Sequence, residues 1–142
     1  MLNGCHPYGE ALFNRCVYGV FDPVGYGADG KYGNEWDMTI WISDRGIESG
    51  RLKDILIHEA AHAYSYLVLR GCVVPDGSSF RELANKRYGD EEHLADIFVL
   101  YYGGKWTNYD GRENIPIRDR SWMSNMIDYC NLYEEALATL SS

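Results

Sequence analysis

Apolar positions change rhythm about a third of the way along the chain. Before Ser43 they fall in short blocks of β-branched and aromatic residues separated by glycines. Beyond Arg51 they gather into longer stretches that suit helices. The blocks 16–22, CysValTyrGlyValPheAsp, and 36–43, TrpAspMetThrIleTrpIleSer, predict two strands. Pro23 to Asn34, crowded with glycines, would join them as a hairpin with a long loop. Residues 51–70, RLKDILIHEAAHAYSYLVLR, predict a helix rich in strong helix formers (Ala60, Ala61, Ala63), with Gly71 as its stop. Its near-continuous apolarity predicts burial on most sides.

Three further helices follow. Ser79-Phe-Arg-Glu82 is a capping box and predicts a helix to about Tyr88. Asp90 reads as the N-cap of a helix over EEHLADIFVLYY, stopped by Gly103-Gly104. A last amphipathic helix starts near Asp119 and keeps Trp122, Met126, Cys130, Tyr133, Leu137 and Leu140 at helical spacing. No internal repeat, low-complexity segment or linker interrupts this order. The pattern predicts an α+β class and one domain, 1–142, with a short antiparallel sheet packed on the helix 51–70 and the other helices completing the core.

Composition narrows the function. The chain has 142 residues, 46% hydrophobic and 24% charged, which is a globular profile. A net charge of −8 disfavours a nucleic-acid partner, because phosphate would repel such a surface. No apolar run reaches the length of a membrane span. The start, MLNGCHPYGE, has neither a basic nor an apolar signal-peptide region. Location is therefore open between the cytoplasm and export without a signal. The four cysteines (5, 16, 72 and 130) lack CxxC spacing, and free thiols are the expectation. Cys5 with Cys16 is the local pair if any bridge forms, and Cys130 reads as a small buried hydrophobe.

The chemistry lies in His58-Glu59-Ala60-Ala61-His62, an H-E-x-x-H on the predicted helix. Residues i and i+4 share a helix face, so both imidazoles can reach one metal ion, with Glu59 beside them to take a proton from water. Two imidazoles and a carboxylate in an otherwise apolar helix are costly to bury without a purpose. The competing interpretation is a polar stripe on a half-buried helix. Catalytic zinc needs a third protein ligand. A metzincin would need Gly at 65 and His or Asp at 68, where this chain has Ser65 and Val68. Downstream stands Glu92-His-Leu-Ala-Asp96, with its two carboxylates four apart on a predicted helix.

On these two motifs the chain resembles the thermolysin-like zinc peptidases (gluzincins), in which HExxH is followed by ExxxD on a second helix. It is also similar to small HExxH…ExxAD proteins of actinobacteria and their phages, through EEHLAD and overall size. The resemblance covers about a quarter of the chain and departs from the thermolysin pattern at Glu91, where that pattern has Asn. It implies a zincin-like domain binding Zn2+, with His58, His62 and Glu92 as ligands and Glu59 as the base. Asp96 would hold a ligand imidazole in the right tautomer. Two alternatives stay open for the third ligand: Asp96 itself, or His93. Glu91 and Glu92 could also be first-turn acids that suit the helix dipole. His6, in a Pro- and Gly-containing segment, reads as exposed.

The implied reaction is peptide hydrolysis, with Glu59 passing the proton of the attacking water to the leaving amine. Strand 36–43 would pair with the substrate backbone. A phage or bacterial cell-wall peptidase acting on peptidoglycan peptides fits this picture. So do an intracellular regulatory peptidase cleaving a repressor and a non-catalytic metal-binding module. Two other features carry less. Gly25-Tyr-Gly-Ala-Asp-Gly30 matches G-x-G-x-x-G but precedes a strand rather than a helix, so it reads as a flexible loop. Tyr66, one turn beyond His62, could polarise a scissile carbonyl or simply border the cleft.

Overall fold

The structure is a computed structural model and describes residues 17–23, 39–107 and 114–141. It is of the α+β class, with one two-stranded antiparallel sheet among the described residues. The chain divides into two units, Met1–Ala63 and Tyr64–Ser142, and the division falls within a continuous helix.

In the first unit, β1 (Gly19–Asp22) pairs antiparallel with β2 (Thr39–Ile42), matching Gly19 with Ile42 and Asp22 with Thr39. Both strands fall inside the predicted blocks, and their connection lies outside the described residues. A two-stranded sheet is marginal alone and needs a face to pack on. Here that face is helix α2 (Leu52–Leu67). Gly19 permits the approach: a β-carbon there would stand 3.0 Å from Glu59 Cγ and 3.1 Å from both Ile55 Cγ2 and Ile42 Cδ1. The sheet thus leans directly on the HExxH helix, as the sequence predicts.

A short helix not foreseen from the sequence, α1 (Asp44–Glu48), turns the chain from β2 into α2. The Ser43 hydroxyl oxygen accepts from the Gly46 N–H at 3.1 Å and caps this helix. The Ser43 hydroxyl and N–H both donate to the Tyr18 carbonyl. Gly46 lies so close to that carbonyl oxygen that any side chain would collide with it.

Helix α2 departs from expectation in two ways. It ends at Leu67 and tightens into a 3₁₀ turn, Leu69–Gly71, as helix ends often do. It is also not buried on most sides. Ile55, His58, Glu59, Ala61 and Ser65 are covered, whereas Leu52, Leu56, Ala60 and Leu67 are exposed. Alanine and leucine on the outer face satisfy helix propensity, so apolar content there reports helix formation rather than burial.

The second unit contains the helix enclosed on every side: α4 (Glu91–Tyr101), in which all residues from Leu94 to Leu100 are buried. Before it, an antiparallel bridge between Val73 and Ser79 encloses a turn at Gly77, whose φ of +92° suits glycine. Helix α3 (Phe80–Tyr88) begins as the capping box predicts, with Ser79 Oγ accepting from the Glu82 N–H at 3.1 Å. At the start of α4, Asp90 Oδ1 accepts from the His93 N–H at 2.8 Å. The far end is a Schellman closure, in which Gly104 N–H reaches Val99 O, Gly103 N–H reaches Leu100 O, and Gly103 takes φ +84°.

Helix α5 (Ile117–Ser141) buries Asp119, Met123, Met126 and Cys130. The predicted apolar seam therefore holds at Met126 and Cys130 but not at Leu137 and Leu140, which are exposed. Asp119 accepts from Arg87 Nη2 at 2.9 Å and from the Tyr88 hydroxyl at 3.1 Å. Arg87 also covers the Trp122 ring, with its guanidinium carbon 5.1 Å from the ring centroid. The expectation of free thiols is corrected at two positions. Cys72 and Cys130 form a disulfide with their α-carbons 5.6 Å apart, a spacing that suits a bridge. Both lie in the core, where thiols from two elements that packing has already brought together can join. Cys5, Cys16, His6 and the segment 25–30 lie outside the described residues.

Candidate metal centre

Helix geometry sets the site. His58 and His62, one turn apart on α2, turn their rings toward each other with centroids 4.8 Å apart. Their Nε2 atoms stand 3.2 Å apart. That separation can be tested against a metal. Zinc–nitrogen bonds of about 2.0–2.1 Å at a tetrahedral angle put two nitrogens roughly 3.3–3.4 Å apart. The imidazole pair therefore matches the bite of one tetrahedral ion to within about 0.2 Å. Glu59, between them in sequence, is buried with 6% of its surface exposed, against the Gly19 approach described above.

The third group comes from the first turn of α4. Among the described residues, ligand atoms of His58, His62 and Glu92 all lie within 4.8 Å of one another. Two imidazoles and one carboxylate are the donor set that catalytic zinc accepts, and His58 is buried while the other two are half-buried. The donor chemistry and the nitrogen spacing both fit zinc.

Neither alternative for the third ligand is one of the grouped residues. His93 turns its Nδ1 to Asp90 Oδ1 at 2.8 Å with its side chain 38% exposed, and it is not one of the grouped residues. The Asp90 carboxyl is held below its ordinary value, first by the His93 backbone N–H and then by the His93 ring. Asp96, one turn beyond Glu92, is fully buried and is not in the group either.

Glu91 is more than a first-turn acid. Its Oε1 accepts from Arg81 Nε at 2.7 Å, Asn85 Nδ2 at 2.7 Å and Ser65 Oγ at 3.1 Å. Burial alone would raise its carboxyl, but the Arg81 guanidinium and the Asn85 and Ser65 donors outweigh that and hold it below its usual value. The sequence reading missed this cluster. Its one available signal is the position of Ser65, seven residues after His58 and so on the same helix face.

Both tyrosines on α2 have side-chain partners. The Tyr64 hydroxyl donates to Asn131 Oδ1 at 3.4 Å, and its ring meets Phe98 edge to face at 5.8 Å. Burial, aided by Tyr102 and Glu134, pushes its phenol up to about 12. The Arg70 guanidinium covers the Tyr66 ring at 3.9 Å, a cation–π contact that holds both side chains at the helix end. No protein-family model, curated protein or solved structure matches the chain.

Proposed function

We propose that this protein is a zinc-dependent peptidase of the HExxH type, with His58, His62 and Glu92 as ligands and Glu59 as general base. The observation that carries this reading is the meeting of two imidazole nitrogens 3.2 Å apart with a carboxylate inside the same 4.8 Å group, beside a second, buried carboxylate. Bound zinc would supply Lewis acidity, polarising a peptide carbonyl and acidifying water. The chain's own residues do the rest. Glu59 accepts the proton of the attacking water and hands it to the leaving nitrogen. Asp96, one turn beyond Glu92, keeps a ligand imidazole in the tautomer that presents Nε2. Strand β2 closes the two-stranded sheet, and its outer edge pairs with the substrate backbone.

For the substrate, the disulfide favours one class. A Cys72–Cys130 bridge supports action in an oxidising setting. This favours peptides of the bacterial wall over an intracellular repressor. A non-catalytic metal-binding module is the rival from another class, but a module that only holds metal has no use for Glu59 beside the imidazoles. Zinc content and turnover of peptide and peptidoglycan substrates, wild type against Glu59→Gln, test the proposal. The expected result is about one zinc per chain in both proteins and activity lost by orders of magnitude in the variant. Full turnover by Glu59→Gln would overturn the assignment of the base. No zinc in the wild type would overturn the reading as a whole.

A further inference from the structure

Glu91 gathers more hydrogen-bond donors than an acid in the first turn of a helix needs for the dipole alone. One oxygen, Oε1, receives Ser65 from the end of α2 and both Arg81 and Asn85 from α3. Arg81 and Asn85 are one turn apart on α3 and so present a common face. Ser65 is fully buried and stands three residues past His62, on the face that carries both imidazoles.

The Asn85 amide shows which partner dominates. Its Oδ1 is buried with no hydrogen-bond partner among the described residues, while its Nδ2 is given to Glu91. An orphaned buried acceptor is costly, but a hydrogen bond to a charged group is among the strongest a side chain makes. The amide therefore tolerates the orphan for the sake of the carboxylate, and turning it over would set two oxygens against each other.

Resting on the reading of Glu92 as third ligand, we propose that Glu91 is the positioning residue of the metal centre. By binding Ser65, Arg81 and Asn85 it fixes the rotation of α4 about its own axis and so sets where the next residue, Glu92, presents its carboxylate. Successive helical residues point about 100° apart, so the direction of Glu91 determines that of Glu92. The leverage is large. A side-chain tip about 6 Å from the helix axis moves roughly 2 Å for a rotation of about 20°, whereas ligand distances must hold within about 0.2 Å. The acceptor has to be a carboxylate, because three donors converge on it and one is a guanidinium.

The test measures zinc affinity of the full chain by competition with a chromophoric chelator at neutral pH, together with the visible spectrum of the cobalt-substituted protein. The variants are Glu91→Gln and Ser65→Ala, with Glu92→Ala as the reference for loss of a ligand. Glu91→Gln should weaken zinc about 10–100-fold, the usual range for residues that orient ligands, and shift the cobalt bands. Ser65→Ala should act in the same direction by less, and Glu92→Ala should do most damage. Should Glu91→Gln fail to fold, Arg81→Gln, at a side chain 33% exposed, removes one donor and should still weaken zinc several-fold. A purely structural role would lower the melting temperature of the metal-free protein yet leave affinity and cobalt spectrum unchanged. That result, in folded Glu91→Gln or Arg81→Gln with Glu92→Ala impaired, overturns the positioning role alone. A wild type that takes up no zinc overturns the underlying reading and this inference with it.

Discussion

Replacing Cys72 and Cys130 together by alanine removes the one covalent tie the structure describes within the second unit. The bridge joins residues 58 positions apart, from the end of the 3₁₀ turn to the middle of α5. Treating its effect as lost loop entropy in the unfolded chain, 2.1 + 1.5R ln n with n of 58 gives roughly 14 cal/mol/K, or about 4 kcal/mol at 25 °C. Both cysteines are fully buried, so truncation also gives up packing worth about 1 kcal/mol. The expected total is about 5 kcal/mol. Unfolding entropy of about 2.1 cal/mol/K per residue over this chain converts that loss to a midpoint roughly 15 °C lower. Calorimetry and guanidinium melts without reductant, on wild type and double variant, read both quantities. Mass spectrometry after alkylation should show Cys72 and Cys130 protected in the wild type. A loss below about 1.5 kcal/mol, or alkylation of Cys72 and Cys130 in the native protein, would show that the bridge does not tie the fold.

Other outcomes follow from particular contacts. Zinc affinity should fall most for Glu92→Ala, less for Asp96→Asn and least for His93→Ala, as read by chelator competition. Loss of metal in His93→Ala alone would redirect the third ligand. Burial pushes the phenols of Tyr64 and Tyr88 up to about 12, aided at Tyr64 by Tyr102 and Glu134 and opposed at Tyr88 by Arg87. Their neutral forms are favoured in the folded state, so their contribution is intact below about 10 and is lost as pH rises from there through 12. Ultraviolet titration should show Tyr64 and Tyr88 among the tyrosines that ionise late in the native protein, and Tyr88→Phe should flatten the alkaline fall in stability. Gly46→Ala should destabilise more than Gly19→Ala. The first meets a backbone carbonyl, whereas the second meets side chains at 3.0–3.1 Å that can shift, for a cost of about 1–3 kcal/mol. Thermal melts rank the pair, and the reverse order would contradict the packing described.

What the sequence revealed, and what it hid, has a physical pattern. Helix starts were legible because Ser79 and Asp90 carry their own acceptors, so the cap is written into one or two residues. The Gly103-Gly104 stop was legible for the same local reason. Burial was less so. Leu52, Leu56 and Leu67 on α2 look like core residues in a string of letters, and only tertiary packing shows which side of the helix is covered. Helix α1 escaped notice because five residues carry no periodicity, and the capping serine sat at the end of a predicted strand. The disulfide could not be read from spacing, since its partners are far apart and pairing depends on which elements meet. The HExxH pair was legible because both imidazoles lie on one helix. The donors to Glu91 come from residues 65, 81 and 85, and no local pattern links them.

X-ray absorption at the zinc edge of the purified, metal-loaded protein reads the proposed His58–His62–Glu92 coordination itself. The expected result is about one zinc per chain, bound by two imidazoles and oxygen donors at about 2.0–2.2 Å. Glu59→Gln should leave this spectrum unchanged, because Glu59 is assigned to the proton and not to the metal. Absence of stoichiometric zinc, sulfur in the coordination shell or a third imidazole would contradict the proposed coordination.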